Sequence, residues 1–332
     1  MSWHDTMAPN TNTNTNTNTN TMQRTALITG GYGFLGRAVS RKLKQCDYKV
    51  IGVGRGRWSP DEARAHGFDA WLDASISLSC LMTLEEKFDL VVHCAGNGSV
   101  GYSLDHPMQD FAKTVQSSIE LLEYLRLTKS SALLVYPSSA GVYGAKDDSP
   151  IKTGDETNPI SPYGYHKRIV EELMESYSRS FGVRVSIIRY FSIYGPGLSK
   201  QLLWDAGKKL LAGAGTSATF WGTGEETRDW ITSDDAAELV LAVVRSTSPY
   251  LVLNGAGGAR VTVRQTLELL KKALEVDTEI LFNGVVREGD PRFYFADISE
   301  ARSLGWAPSL TLEQGMARYA TWLVSHKEQG LD

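Results

Sequence analysis

Short apolar segments alternate with longer amphipathic segments along the first half of the chain. The apolar segments are rich in Val, Ile and Leu and have the length of buried strands; they cover residues 25–30, 48–54, 88–96, 132–139 and 183–191. Helical patterns lie between several of them, and the clearest cover residues 35–45, 108–128 and 162–181. Strands that are apolar on both faces and alternate with helices are typical of α/β proteins. The pattern therefore predicts a doubly wound parallel sheet.

The alternation weakens beyond about residue 195, where short elements and glycine-containing loops separate the helical patterns. These later helices are predicted near residues 200–212, 233–246, 262–275 and 310–327. At the other end, the first residues finish in a Thr-Asn repeat that has no apolar face to bury, so we expect it to be disordered. We therefore expect a tail over 1–21, a sheet domain over 22–195, and a smaller C-terminal substrate-binding lid over 196–332.

Composition narrows the class of protein. The 332 residues are 42% hydrophobic and 22% charged, as in ordinary globular proteins. The net charge of −4 gives no support to a nucleic-acid or membrane-surface role, and no apolar run approaches the roughly 20 residues of a membrane span. Cys46, Cys80 and Cys94 are too few and too scattered for a disulfide framework or a zinc site. We therefore expect a cytoplasmic protein without a metal site.

A glycine-rich turn follows the first predicted strand and opens the first predicted helix. Gly30, Gly33 and Gly36 are spaced G-x-x-G-x-x-G, and a tight turn there requires residues without a Cβ. The backbone N–H groups at the start of the helix, which includes Phe34 and Leu35, can then bind a pyrophosphate, and the last glycine lets helix and strand pack closely. Because the strand–turn–helix context is met, the turn predicts a Rossmann-like dinucleotide site.

The residues after the second predicted strand indicate which dinucleotide binds. NAD sites usually carry an Asp or Glu there for the ribose 2′-hydroxyl, whereas this chain has Gly54, then Arg55 and Arg57. Two cations suit a 2′-phosphate, so the sequence favours NADP over NAD; the alternative is that both arginines are solvated loop charges. Asp73 follows another apolar run and is expected either at the adenine or in an exposed turn.

A tyrosine and a lysine lie four positions apart at the start of a predicted helix. Tyr163 and Lys167 follow a Ser-Pro pair that favours a helix start. A tyrosine is a poor base at neutral pH, but a cation one turn away favours its charged form. Such pairs are frequent in ordinary helices, so a companion motif is needed. Ser139 supplies it, because it ends a buried strand at the edge where open α/β sheets bind ligands.

These motifs establish a resemblance to a known family. The segments "TGGYGFLG", "VVHCAG", "SSAGVYG", "SPYGYHK", "RYFSIYGPG" and "GTGEETRDWITSDDAAE" resemble the extended short-chain dehydrogenase/reductase superfamily, specifically the nucleotide-sugar epimerase/dehydratase family. The resemblance extends over about residues 24–327 and is much more specific for the family than for the substrate. It implies NAD(P)-dependent hydride transfer at a carbon, usually C4, of a nucleotide-activated sugar, in a setting such as polysaccharide-precursor synthesis.

The resemblance also implies roles for individual residues. Tyr163 would be the acid–base group on the sugar hydroxyl, and Lys167 would tune it and bind the nicotinamide ribose. Ser139 fits the position of the family's catalytic Ser or Thr better than Ser138 does.

Three C-terminal residues match a nucleotide-sugar site by the same resemblance. Arg228 would contact the diphosphate or the nucleotide, and Arg287 and Asp290 would lie near the nucleotide. A cation there suits a pyrophosphate. The alternative for Arg228 is an ordinary ion pair with Asp229 or Glu225.

The chain departs from the family at several positions. Ser192 and Tyr194 are expected to border the sugar, but Ser192 stands where the family usually has Asn. The family's Asn in the helix after the His-Pro pair falls at Thr114, so this chain lacks that amide for a water-relay or backbone role. Dehydratases carry an Asp-Glu pair where this chain has Ala140 and Gly141, so dehydration lacks its acid and base and is disfavoured.

Two enzyme mechanisms stay open at this point. A 4-epimerase keeps NAD bound and returns the hydride to the other face of the sugar, whereas a 4-ketoreductase takes the reduced cofactor from solution. The arginines after the second strand favour the ketoreductase slightly, and frequency within the family favours the epimerase. A non-catalytic NADP-binding regulator or scaffold is the alternative outside enzymes, but the presence of the Ser, Tyr and Lys opposes it.

A homodimer is a further expectation from the resemblance. It would pair the helix around residues 108–126 and the Tyr-Lys helix of each subunit in a four-helix bundle. Leu121, Leu122 and Leu125 offer apolar positions on the first of these helices, although they could equally face their own sheet.

Overall fold

The fold is known from a computed structural model that describes residues 23–285 and 291–328. The predicted disordered tail, Arg287 and Asp290 therefore lie outside the described residues. The described strands are β1 (Thr25–Thr29), β2 (Lys49–Gly54), β3 (Ala70–Asp73), β4 (Leu90–His93), β5 (Leu133–Ser139), β6 (Arg184–Tyr190), β7 (Ser192–Tyr194), β8 (Ser217–Phe220), β9 (Thr227–Arg228), β10 (Trp230–Thr232), β11 (Tyr250–Gly255), β12 (Val261–Thr262) and β13 (Glu279–Phe282). The described helices are α1 (Phe34–Gln45), α2 (Pro60–Ala65), α3 (Leu78–Leu81), α4 (Val100–Asp105), α5 (Pro107–Phe111), α6 (Ser117–Leu127), α7 (Pro162–Phe181), α8 (Gln201–Ala212), α9 (Ser233–Val244), α10 (Val263–Ala273), α11 (Ser299–Ser303) and α12 (Leu312–Glu328).

A seven-stranded parallel sheet organises the molecule. Its order is β11-β6-β5-β4-β1-β2-β3, and each neighbouring pair runs parallel. The inner strands are buried on both faces, which explains their continuous apolar sequence. The predicted α/β class and doubly wound parallel sheet are confirmed.

Two apolar layers cover the sheet. On one face α1 and α9 pack around residues such as Val39 and Val240. On the other face α6 and α7 pack around Leu121, Val170 and Met174. The order in which successive strands join the sheet reverses between β1 and β4. The carboxyl ends of these two strands form the crevice where open α/β sheets bind ligands.

The helix predicted over 108–128 is divided into three segments. After α5, residues Ala112–Gln116 form a π-helical segment, and α6 follows. Leu121, Leu122 and Leu125 are buried in the core of their own sheet, so they do not form the apolar surface considered for a dimer. Such π-segments often mark functional sites.

The part after residue 195 has its own core but also returns to the sheet. Helices α8, α10 and α12 pack with β8 and β13 around Leu210, Leu267 and Met316. In contrast, α9 covers the main sheet, and β11 is its edge strand beside β6. The boundary expected at 195 stays a prediction.

No helix among the described residues is long and apolar enough to cross a membrane.

Candidate active site

The glycine turn has the geometry of a phosphate cradle. Gly30 has φ +67°, and a Cβ there would lie 2.5 Å from the backbone N of Ala95, so only glycine fits. A Cβ on Gly36 would lie 2.7 Å from the carbonyl oxygen of Gly30. Helix α1 begins after Gly33 without a side-chain cap, so the first N–H groups of α1 remain available to an anion. The residues present therefore fit the pyrophosphate of a dinucleotide.

The two arginines after β2 lie on an exposed loop beside the glycine turn. Tyr32 of the turn packs against Gly56, which separates Arg55 from Arg57. Neither arginine forms an ion pair with another described residue. Asp73 ends β3, and its carboxylate accepts a hydrogen bond from the Gly56 N–H at 3.0 Å. Asp73 therefore fastens the loop that carries the arginines.

The start of α7 is held in place by two serines. The side chain of Ser161 accepts from the N–H of Gly164 at 3.2 Å, and Pro162 occupies the first turn. The N–H of Tyr163 donates to Ser103 Oγ at 3.0 Å. These contacts fix the direction in which the tyrosine leaves the helix.

Ser139, Tyr163 and Lys167 come together at the carboxyl end of β5. A Cβ on Gly141 would lie 3.3 Å from Ser139 Oγ and 3.4 Å from the Tyr163 ring, so the two side chains flank the same position. Lys167 is buried, and its Nζ donates to the carbonyl of Pro137 at 2.9 Å. The lysine Nζ lies 5.9 Å from the centre of the Tyr163 ring.

Ser138 points away from this group. Its hydroxyl donates to Glu171 at 2.5 Å, and Glu171 is paired with Arg189 in a buried salt bridge. The alternation of a β-strand thus directs Ser139 to the cavity and Ser138 into the protein.

Burial controls the ionisation of the tyrosine and the lysine. It raises the pKa of Tyr163, and the polar side chain of Ser139 opposes this rise. It lowers the pKa of Lys167 to about 8, with nearby negative groups acting in the opposite direction. The sequence predicted that the lysine would make the tyrosinate accessible, but the effect of burial is larger.

A cavity of about 1040 Å³ joins these groups to the C-terminal part of the chain. Its wall includes the glycine turn together with Ser139, Tyr163, Lys167, Ser192 and Arg228. Arg55, Arg57 and Asp73 are not part of this wall.

Two of the residues predicted around the sugar-nucleotide site have different environments. Arg228 lines the cavity and donates through Nη1 to the carbonyl of Pro291 at 3.0 Å. Asp229, its neighbour, is buried and accepts instead from the backbone N–H of Gly258 at 3.0 Å. Tyr194 is buried in the C-terminal core, against Trp230. It does not line this cavity, so its predicted place beside the sugar has no support from the cavity wall.

Sequence reasoning missed several residues of the cavity wall. The hydroxyl of Tyr294 donates to the carbonyl of Ala140, directly behind the catalytic candidates. Lys200 and Gln201 also line the cavity, and Gln201 Nε2 donates to the carbonyl of Gly98 at 2.6 Å. A left-handed φ of +67° at Gln201 supports this contact. No local pattern marks these residues, because each reaches the site from a distant segment.

Known proteins resemble the chain over most of its length. Residues 26–254 match the NAD-dependent epimerase/dehydratase family. UDP-glucuronate 4-epimerase 2 from Arabidopsis thaliana is 27% identical over 335 residues, covering 92% of this chain and 77% of the relative. UDP-glucuronate 4-epimerase from Thermodesulfobacterium geofontis is 24% identical over 315 residues, covering 89% and 95%.

A solved structure extends the likeness to the fold. The crystal structure of UDP-glucose 4-epimerase with UDP-glucose from Thermotoga maritima superposes with a TM-score of 0.82 and 26% identity, covering 93% of this chain and 100% of that chain. The family match also removes the non-catalytic regulator considered as an alternative. The chain is therefore an enzyme that depends on a nicotinamide dinucleotide, and it belongs to the NAD-dependent epimerase/dehydratase family of the extended short-chain dehydrogenases/reductases.

Proposed function

We propose that the enzyme is a 4-epimerase of a UDP-activated sugar. The observation that carries this proposal is the convergence of Ser139, Tyr163 and Lys167 on the cavity that also contains the glycine turn. The relatives named above, which are epimerases of UDP-glucuronate and UDP-glucose, support the choice of reaction and of nucleotide. The bound dinucleotide supplies the hydride acceptor and donor.

Each of the three side chains has a distinct role in this reaction. Tyr163 takes the proton of the C4 hydroxyl when C4 is oxidised, and returns it when C4 is reduced from the other face. Ser139, which lines the cavity beside Tyr163, holds the C4 oxygen beside the phenol. Lys167, mostly protonated at pH 7 with a pKa of about 8, stabilises the tyrosinate and binds the ribose. One proton and one hydride leave the sugar and both return.

The environment of Gly141 argues against dehydration. A Cβ at this position would lie 3.4 Å from the Tyr163 ring, so the position adjoins the acid–base group, but glycine supplies no carboxylic acid there. The neighbouring Ala140 carries no polar side chain and is buried. Elimination of water across the sugar therefore lacks both of its catalytic groups.

The diphosphate of the substrate is assigned to the C-terminal wall of the cavity. The guanidinium of Arg228 suits a pyrophosphate. Ser192 lines the same cavity and is proposed to contact the sugar. Arg287 and Asp290 remain candidates for nucleotide contacts from their sequence alone.

A 4-ketoreductase that uses NADP is the second candidate function. The observation that favours it is the pair of exposed cations, Arg55 and Arg57, in a loop without a carboxylate at Gly54. A 2′-phosphate would neutralise them. Against it, the family description names NAD, and the reaction named for the relatives is epimerisation.

Product analysis separates the two functions. The enzyme is denatured to identify the nucleotide it already holds, and is incubated with UDP-glucose, UDP-glucuronate and their 4-keto forms, followed by mass spectrometry and NMR. We expect retained NAD and interconversion of the C4 epimers without added cofactor. Consumption of NADPH with a 4-keto sugar, and no epimerisation, would instead establish the ketoreductase.

We also propose that the enzyme is a homodimer and is cytoplasmic, as its sequence predicts. The surface beside α7 exposes Leu104, Met108 and Phe111, and 75% of Met108 is accessible. Exposed apolar surface of this kind is typical of protein–protein interfaces. We expect wild type to sediment as a dimer and Met108→Glu to shift it towards monomer. A monomeric wild type at micromolar concentration would refute the dimer.

A further inference from the structure

A buried ammonium group lies over an aromatic ring beside the acid–base residues. Lys167 is 6% exposed, and Tyr136 on β5 is fully buried. The Nζ of Lys167 lies 4.6 Å from the centre of the Tyr136 ring, which is closer than the 5.9 Å between Nζ and the centre of the Tyr163 ring. The next residue of β5, Pro137, accepts a hydrogen bond from the same Nζ at 2.9 Å. Two consecutive residues of one strand therefore contact this ammonium group.

The ammonium group has no direct carboxylate counterion. Within residues 23–285 and 291–328, no carboxylate oxygen lies within 4.0 Å of Lys167 Nζ. The carboxylates in the surrounding helices have other partners. Glu171 on α7 forms a salt bridge with Arg189 at 2.7 Å. Asp110 on α5 is bonded to Nδ1 of His166 at 2.5 Å.

The neighbouring strand β4 and the residue that follows it supply no anion to the lysine at neutral pH. Burial raises the pKa of the Cys94 thiol to about 12, and lowers the pKa of His93 to about 3, so both are neutral. The His93 ring stacks with the Tyr136 ring at a centroid distance of 6.0 Å. The two nitrogens of His93 are bonded to Thr29 and Ser118. Tyr136 therefore packs against a fixed neighbour.

A buried cation without a counterion needs another source of stabilisation. Moving a charge out of water is costly unless the charge is paired or hydrogen-bonded, and burial lowers the pKa of Lys167 to about 8. The face of an aromatic ring attracts a cation, and the attraction is strongest where both groups are desolvated. The carbonyl of Pro137 and the face of Tyr136 are the two such contacts of Lys167 Nζ on β5.

The hydroxyl of Tyr136 takes no part in this contact. It is buried and has no hydrogen-bond partner in the described part of the chain. An unsatisfied buried hydroxyl is costly, so this group does not explain why the ring is placed here. The ring and the hydroxyl can therefore be tested separately, because phenylalanine keeps the first and removes the second.

We propose that Tyr136 is a positioning residue whose ring face, together with the Pro137 carbonyl, holds the Lys167 ammonium charged and in place at the cavity. Tyr136 is not part of the cavity wall, whereas Lys167 is, so the ring acts through the lysine. The inference rests on the role proposed for Lys167, but not on the identity of the sugar.

The first test follows the Lys167 ammonium directly. The purified enzyme carries lysine isotopically labelled at Nζ, its titration is followed by NMR, and Lys167→Met identifies the signal. Because the ring stabilises the charged form, Tyr136→Leu should lower the midpoint by about one unit. Tyr136→Phe should leave the midpoint close to wild type. Tyr124→Leu, which removes another buried tyrosine of the same apolar layer, is the matched control and should not shift it.

A second series keeps the shape of the ring and changes only its electrons. Phenylalanines with an increasing number of fluorine atoms are incorporated at position 136, since fluorine withdraws electron density from the ring face that attracts the cation. We expect the Lys167 midpoint to fall step by step along the series. A constant midpoint along the series would overturn the inference, as would an equal shift in Tyr136→Phe and Tyr136→Leu. If Tyr136→Leu does not fold, the fluorinated series decides alone.

Turnover gives a third and independent measurement. In the proposed mechanism the charged lysine is required, so the falling limb of turnover at high pH should move down by about one unit in Tyr136→Leu. On that limb the variant should be about tenfold less active than wild type, each relative to its own plateau. If no UDP-sugar is epimerised but the Lys167 midpoint falls as expected, only the reaction assignment fails. If epimerisation occurs and the midpoint is unchanged in Tyr136→Leu, the positioning role is refuted and the epimerase assignment stands.

Discussion

The cofactor side and the substrate side of the cavity are constructed in different ways. On the cofactor side, Gly30, Ser139 and Tyr163 sit where long parallel strands end or helices begin. On the substrate side, the wall uses strands of two to four residues that pair with distant partners, such as β9 with β12 and β10 with β7. Long strands and helices fix the positions of the functional side chains at their ends. The short strands of the substrate side are held in position only by pairing with distant segments of the chain.

The largest effect should come from a buried ion pair of the cofactor side. Glu171 pairs with Arg189 where both side chains are at most 10% exposed. Glu171→Gln leaves the arginine without its counterion and should lower the free energy of unfolding by about 3 kcal/mol. Urea denaturation measures the change. The control is Glu175→Gln, which removes one partner of a more exposed ion pair with Arg179 on the same helix. A loss no larger than that of the control would show that the scaffold does not depend on this pair.

The next effect concerns catalysis. Tyr163→Phe removes the acid–base hydroxyl, so turnover should fall by about 100-fold or more, while calorimetric binding of the nucleotide sugar stays close to wild type. Tyr165→Phe, two residues away on an exposed position, is the control. Equal turnover in wild type and Tyr163→Phe would refute the assignment of the acid–base residue.

A smaller effect is expected from pH on the substrate side. Burial raises the pKa of Asp229 to about 7, and backbone N–H donors oppose the rise. Because this value lies above that of an unfolded Asp, the native state binds the extra proton, and stability increases as pH falls through 7. Between pH 8 and pH 6 the gain should be about 1.4 kcal/mol.

Comparison with Asp229→Asn isolates this contribution from that of other titrating groups. The variant should lack the increment, so the difference in unfolding free energy between wild type and variant should change with pH. A difference that is constant from pH 8 to pH 6 would mean that Asp229 stays ionised throughout.

The smallest effect should come from a surface ion pair that joins the two sides. Arg260 bonds Asp148 through two nitrogens, but both side chains are 42% exposed. Such pairs contribute little in water and salt. Asp148→Asn should leave the thermal midpoint unchanged within error. A clear decrease would indicate that the link between the two sides is stronger than its exposure suggests.

The difference between the two sides also explains which elements and site residues could be predicted from the sequence. The glycine spacing, the serine at the end of β5 and the Tyr-Lys spacing are local patterns, and each was placed on the right element. Strand β3 has only four residues and partly exposed side chains, so it lacks the continuous apolar signal. Strand β11 lies far from its partner β6 along the chain, and parallel pairing leaves no local trace.

Other features depend on contacts that no local pattern encodes. Helical periodicity continues through the π-helical segment, so the division of this helix into three segments could not be predicted from the sequence. Tyr194 follows Ser192 by two residues, yet only the tertiary fold shows that it enters the C-terminal core. The partnership of Asp110 with His166 spans 56 positions. For Tyr163, the helical spacing revealed the lysine but not how strongly burial disfavours the charged phenol.

The return of α9 and β11 to the main sheet has a practical consequence for dissecting this enzyme. A truncated product that stops at residue 195 would lose α9, and with it part of the apolar cover of one face, and would expose the hydrogen-bonding edge of β6. Open edges of this kind recruit other chains. Such a fragment is expected to precipitate rather than survive as an independent nucleotide-binding module, and fusion or display designs should retain the residues up to Gly255.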